Sequence, residues 1–201
     1  MATSSPLSVF WSLLFLLIAC FYLFRLVSVR PWIDHGDAEN EVGHGVMAIG
    51  MMVMLAPAGS LTSDLIRGNI ILFALVSLWW TIRLFARKPL FTILLRIKGG
   101  HSPFRSDAIH VFMHVSMCYL FLLMNSMALS MTQPATYATS LFFVVYAFLT
   151  LFYAREVSKD FQTAKMNWLQ CGANLAHLLM SAVMGWMFLE MLSMTMSMGI
   201  R

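Results

Sequence analysis

Charge is what this sequence has least of. Asp, Glu, Lys and Arg make up 11% of its 201 residues, against roughly 25% in soluble domains, which excludes an ordinary water-exposed globular surface. Cysteine is sparse too: Cys20, Cys118 and Cys171 form neither a Cys-x-x-Cys motif nor an even-numbered set, so a disulfide framework is excluded. No Gly/Ser-rich or Pro-rich linker and no block of like charge divides the chain, so residues 1–201 are read as one bundle. Also absent are Gly-x-Ser-x-Gly, His-Glu-x-x-His, a phosphate-cradling glycine loop and a dinucleotide fingerprint, which leaves enzymatic activity without a carrier, a redox role for a bound metal aside.

What is present is apolar. Hydrophobic residues make up 60% of the chain and the mean hydropathy is +0.77. A bilayer core about 30 Å thick is crossed by ~20 helical residues, and six stretches approach that length: about Leu7 to Phe24, Val42 to Ala58, Gly68 to Phe85, Ala108 to Met131, Ala135 to Ala154 and Leu169 to Leu192. The expectation is therefore an all-α, polytopic membrane protein with the lipid bilayer as its main partner. The second stretch is the weakest, short and closed by Pro57.

Short cytoplasmic loops of membrane proteins carry an excess of Lys and Arg. Arg25 and Arg30 follow the first span, Arg83, Arg87, Lys88, Arg96, Lys98 and Arg105 lie around the third connection, and Arg155, Lys159 and Lys165 follow the fifth span; Arg67 and Arg201 alone fall on the other side. Both termini are thus predicted outside the cytoplasm. The same residues account for the net charge of +4 and the pI near 9.2 as topology anchors that meet anionic lipid heads, with no call on nucleic acid. Leu17-Ile18-Ala19-Cys20 looks like a lipoprotein cleavage box, but no basic residue precedes it and Phe21-Tyr22-Leu23-Phe24 continues it, so an uncleaved first helix is expected.

An internal repeat occupies the even-numbered spans. They contain His44-Gly45-Val46-Met47, His114-Val115-Ser116-Met117 and His177-Leu178-Leu179-Met180. Seven positions after the histidine stand Met51, Phe121 and Met184; ten positions after stand Met54, Met124 and Met187; four positions after stand the small residues Ala48, Cys118 and Ser181. At 3.6 residues per turn these offsets descend one side of a helix. The odd spans share an aromatic residue three before an arginine: Tyr22 with Arg25, Trp80 with Arg83, Phe152 with Arg155. Three related hairpins follow, at about residues 6–58, 66–131 and 135–194, whose pseudo-threefold packing would gather the even helices at the centre.

That packing would set His44, His114 and His177 in one layer, with Met47, Met117 and Met180 beside them and Met51, Met54, Met124, Met184 and Met187 continuing outward to the methionine-dense tail from Met191 to Met198. Imidazole suits several transition metals, whereas thioether sulfur selects Cu(I), so a bound Cu(I) ion is the leading expectation, in copper handling or translocation, with a membrane or metallochaperone partner left open. Two alternatives stand beside it. Two histidines, or a histidine and a methionine, also serve as haem axial ligands in electron transfer. Methionine is equally a gap filler, and the histidines would then knit the helices of a structural subunit. Ionisable groups within a span are costly and functional by default, and three carrying the same methionine offsets favour a ligand role. His110, four before His114, is a fourth ligand or an orienting partner; Glu41 and Asn174, three before His44 and His177, are placed to hydrogen-bond across the layer. Asp34, His35, Asp37 and Glu39 read, with Glu41, as a solvated acidic loop or a hard-cation site, Glu190 as a water-exposed group and His101 as part of a turn.

The His-x-x-Met motif recurring in methionine-rich helices resembles an uncharacterised family of bacterial multi-helix membrane proteins defined only as a domain of unknown function. The resemblance covers most of the chain and implies a bacterial inner-membrane location without supplying an activity. Met47-x-x-x-Met51, Met180-x-x-x-Met184 and Met187-x-x-x-Met191 are also similar in spacing to the pore motif of the trimeric copper transporters of eukaryotes, although the helix count and the histidines depart from that family.

Overall fold

A computed structural model describes residues 6–28, 35–57, 60–89, 104–126, 132–162 and 168–199; the side chains at 35–37, 104–106 and 195–199 are outside the description. Asp34, His101, Arg30, Arg96, Lys98 and Lys165 lie outside the described residues. Among the described residues there are six α-helices and no strand: α1 (Pro6–Ser28), α2 (His35–Met54), α3 (Ser63–Ala86), α4 (Phe104–Asn125), α5 (Gln133–Gln162) and α6 (Trp168–Gly199). They fall into two compact units, α1 to α4 in residues 1–125 and α5 with α6 in residues 126–201. Within the first, α1 packs on α2, α3 on α4, and α2 also meets α4; in the second, α5 packs on α6.

Local chemistry sets the ends. Thr62 caps α3, its Oγ1 accepting from the Leu65 amide at 3.2 Å, with Asp64 in the positive first turn. The same helix closes on Arg87, which takes a left-handed φ of 53° and donates its amide to the Arg83 carbonyl at 2.8 Å, two residues before Pro89. Pro134 sits in the first turn of α5, where its missing N–H costs nothing.

Among the described residues five helices are long and apolar enough to cross a membrane: α1, α3, α4 from Asp107, α5, and α6 as far as Met194. The chain is a multi-pass membrane protein by that measure. α2 is not among the five; it begins at His35, seven residues before the expected Val42, and so includes Asp37, Glu39 and Glu41. The acidic stretch from residue 35 is therefore helix rather than loop. Large apolar groups face outward, among them Leu17 and Phe24 on α1, Leu75 and Phe85 on α3 and Phe148 and Leu151 on α5, which suits lipid rather than water. Polar groups lie inside: Glu39, His44, Asn69, Arg83, Asp107, His110, His114, Ser116, Thr139 and Ser181 are all buried. Several hydroxyls are satisfied within their own helix, as Ser77 donates to the Phe73 carbonyl and Thr150 to that of Tyr146.

Two glycines seven apart on α2 admit two aromatic rings seven apart on α3. A Cβ at Gly43 would stand 2.8 Å from Trp80 Cζ2, and one at Gly50 would stand 2.3 Å from Phe73 Cζ. Close approach of α2 to α3, and with it the site below, depends on those missing side chains.

Candidate functional site

Gly43 brings Trp80 against the start of the histidine layer, and a column of rings results. Tyr22 of α1 stacks on His44 of α2 with centroids 5.0 Å apart; His44 meets His110 of α4 at 4.6 Å; His110 stacks on Trp80 of α3 at 4.1 Å and 14°. Inside the column the two imidazoles meet edge to edge, with His44 Nε2 and His110 Nε2 3.0 Å apart, so one ring donates to the other. Both residues are buried, at 8% and 4% exposure.

His114, one turn further along α4, is held differently. Its Nδ1 lies 2.7 Å from the His110 carbonyl and its Nε2 lies 3.3 Å from that of Gly43. Both ring nitrogens are thus turned to backbone oxygens, and the shorter contact places the proton on Nδ1 as donor. The arrangement knits α4 to α2.

Next to the column is a buried ion cluster. Arg83 Nη1 donates to Glu39 Oε2 at 2.9 Å and Arg83 Nε to Asp107 Oδ1 at 3.0 Å, with all three side chains at most 1% exposed. The guanidinium lies over Trp80, 4.6 Å from the ring centroid. A second pair, Arg25 Nη2 with Glu41 Oε1 at 2.9 Å, joins α1 to α2 nearer the surface. Sequence reasoning missed this cluster: Arg83 was expected as a topology anchor and Glu39 as a solvated loop residue. The usable signal was the aromatic-x-x-Arg pattern itself, which marks Trp80 and Arg83 as facing the same way one turn apart.

The structure sorts the expected ligands. Of the histidines, His44 is brought together with His110 rather than with His114, and His177 lies in the other unit, half-buried against Tyr153 at 4.9 Å. Met47, Met117 and Met180, three after each histidine, are at most 1% exposed, as are Met51, Phe121 and Met184 at seven. The tenth position varies: Met54 is buried, Met187 half-buried and Met124 exposed. Glu41 is engaged by Arg25, and Asn174 donates to Asp160 at 2.7 Å. Glu190 is exposed, and Cys118 Sγ donates to the Ile70 carbonyl at 3.7 Å. Among the described residues no three of His, Cys, Asp and Glu form a group that could hold a metal ion; an ion at the imidazole pair would need thioether or external donors as well.

Residues 36–191, which include every member of the column and cluster except Tyr22, match a family described as a domain of unknown function (DUF5134). The chain belongs to this family. The DUF5134 match runs from α2 to α6 and so includes all four His-x-x-Met segments of this chain, His110 to Met113 being the fourth. No curated protein and no solved structure matches the chain.

Proposed function

We propose that this DUF5134 protein binds a soft metal ion, Cu(I), at the buried pair His44 and His110, as part of copper handling or translocation in the bacterial cell membrane, with α2 as a sixth crossing and both termini outside the cytoplasm. The observation that carries the reading is the 3.0 Å between the two Nε2 atoms. With metal–imidazole bonds of about 2.0 Å, two nitrogens stand ~3.3 Å apart on a tetrahedral ion, ~3.5 Å on a trigonal one and ~4 Å on a linear one. The pair is within about half an ångström of the first two geometries. Buried thioethers stand one turn along each helix, Met47 after His44 and Met113 after His110, and soft sulfur beside imidazole favours Cu(I) over harder ions.

The geometry favours an ion over haem. A macrocycle between two axial histidines needs an open slot, whereas these rings meet edge to edge and their outer faces are covered by Tyr22 and Trp80. The membrane assignment rests on the five apolar helices, and the orientation on the basic residues that follow the odd helices together with α2 as a sixth crossing.

The test is copper content after loading the detergent-purified protein under reducing conditions. Wild type is expected to retain about one copper per chain with no Soret band, and the His44→Ala/His110→Ala variant to lose it. His114→Gln should keep its copper. Loss that follows His114 and His177 instead would move the site to the three repeat histidines, and no copper in wild type would leave the layer as helix packing.

A further inference from the structure

We infer that Arg83 is a positioning residue that fixes the separation of His44 and His110 and thereby the size of ion the pair accepts, an inference that rests on the metal reading above. The two imidazoles belong to different helices, and a bite between helices is only as fixed as what ties them. Arg83, from a third helix, ties both. One edge of its guanidinium holds Glu39, five residues before His44 on α2, and another holds Asp107, three residues before His110 on α4. Beneath it, one turn back on α3, Trp80 lies against both the guanidinium and the His110 ring. A guanidinium is planar, and its donors diverge at fixed angles, so the spacing of the two carboxylates is set by a rigid spacer rather than by flexible chains. All three charged groups are at most 1% exposed, so water does not compete for them.

A site clamped near a 3.0 Å bite suits an ion with short bonds and a bent pair of nitrogens. Ag(I) has the charge and softness of Cu(I) but makes longer bonds and prefers donors in line. The clamp therefore discriminates between two ions that chemistry alone treats alike, and loosening it should erode the preference before it abolishes binding.

The experiment is competition of Cu(I) with Ag(I) on the full-length detergent-purified protein, read as the Cu:Ag ratio bound. A ratio is independent of how much of each preparation is folded. Arg83→Lys keeps the charge but loses the fork, and its ratio should fall about tenfold, the scale on which groups supporting metal ligands act. Asp107→Asn, which can still accept through its amide oxygen, should fall less. Arg25→Gln removes an ion pair that reaches α2 but not α4 and should leave the ratio at the wild-type value. Copper bound by wild type with an unchanged ratio in Arg83→Lys overturns the clamp while leaving the metal site in place. Absence of both ions from wild type overturns the site itself and the clamp with it.

Discussion

Gly50→Ala should destabilise the protein, although the same change elsewhere on its helices stabilises it. A Cβ at Gly50 falls 2.3 Å and 2.5 Å from Cζ and Cε2 of Phe73 and 2.9 Å from Cε of Met117. Carbon atoms in contact prefer about 3.5 to 4.0 Å, so the Phe73 ring edge would have to retreat by roughly 1 Å to relieve the overlap. It has little room, being fully buried with Phe121 stacked at 5.8 Å and His114 at 6.0 Å. Overpacking of this kind costs ~1–3 kcal/mol, and alanine's helix preference over glycine returns about 1 kcal/mol. A net loss of up to about 2 kcal/mol follows, about 1–3 kcal/mol below a glycine-to-alanine change without the overlap. Gly45 is the internal control, because its Cβ would meet only Tyr22 Cβ at 3.8 Å, and Gly68 has nothing within 4 Å. Both alanine variants should gain up to about 1 kcal/mol from helix preference alone. Unfolding of the three variants in mixed micelles measures the differences. Gly50→Ala as stable as Gly45→Ala would refute the close approach of α2 to Phe73.

Arg83→Ala leaves two buried carboxylates without their shared partner and should cost ~3–5 kcal/mol in the same unfolding assay, whereas Lys159→Ala, which breaks an exposed pair with Glu156, should stay within about 0.5 kcal/mol. Single cysteines at Ser60 and Lys88, both exposed between helices, should be labelled by a membrane-impermeant reagent from opposite sides, Ser60 from outside and Lys88 from the cytoplasm. The reverse pattern would invert the orientation.

The helices were legible in the sequence because long apolar runs leave few other choices, and the inward faces because offsets of three and seven stay within about 60° of one line. The start of α2 was not legible. Residues 37 to 41 look like a solvated loop until it is known that Glu39 meets Arg83 and Glu41 meets Arg25, both on other helices. Burial of a charge is decided by its partner, and a partner 44 residues away leaves no local trace. The choice between His110 and His114 was hidden for a similar reason. Four residues apart on α4, they share a face; Trp80 of α3 and the Gly43 carbonyl decide which ring meets His44 and which turns to backbone.

The most direct test of the imidazole pair is X-ray absorption at the copper edge of Cu(I)-loaded protein. The account predicts two nitrogen donors at about 2.0 Å together with sulfur, and a loss of nitrogen when His44 or His110 is replaced by alanine. A copper shell of sulfur alone, or one that both replacements leave unchanged, would contradict it.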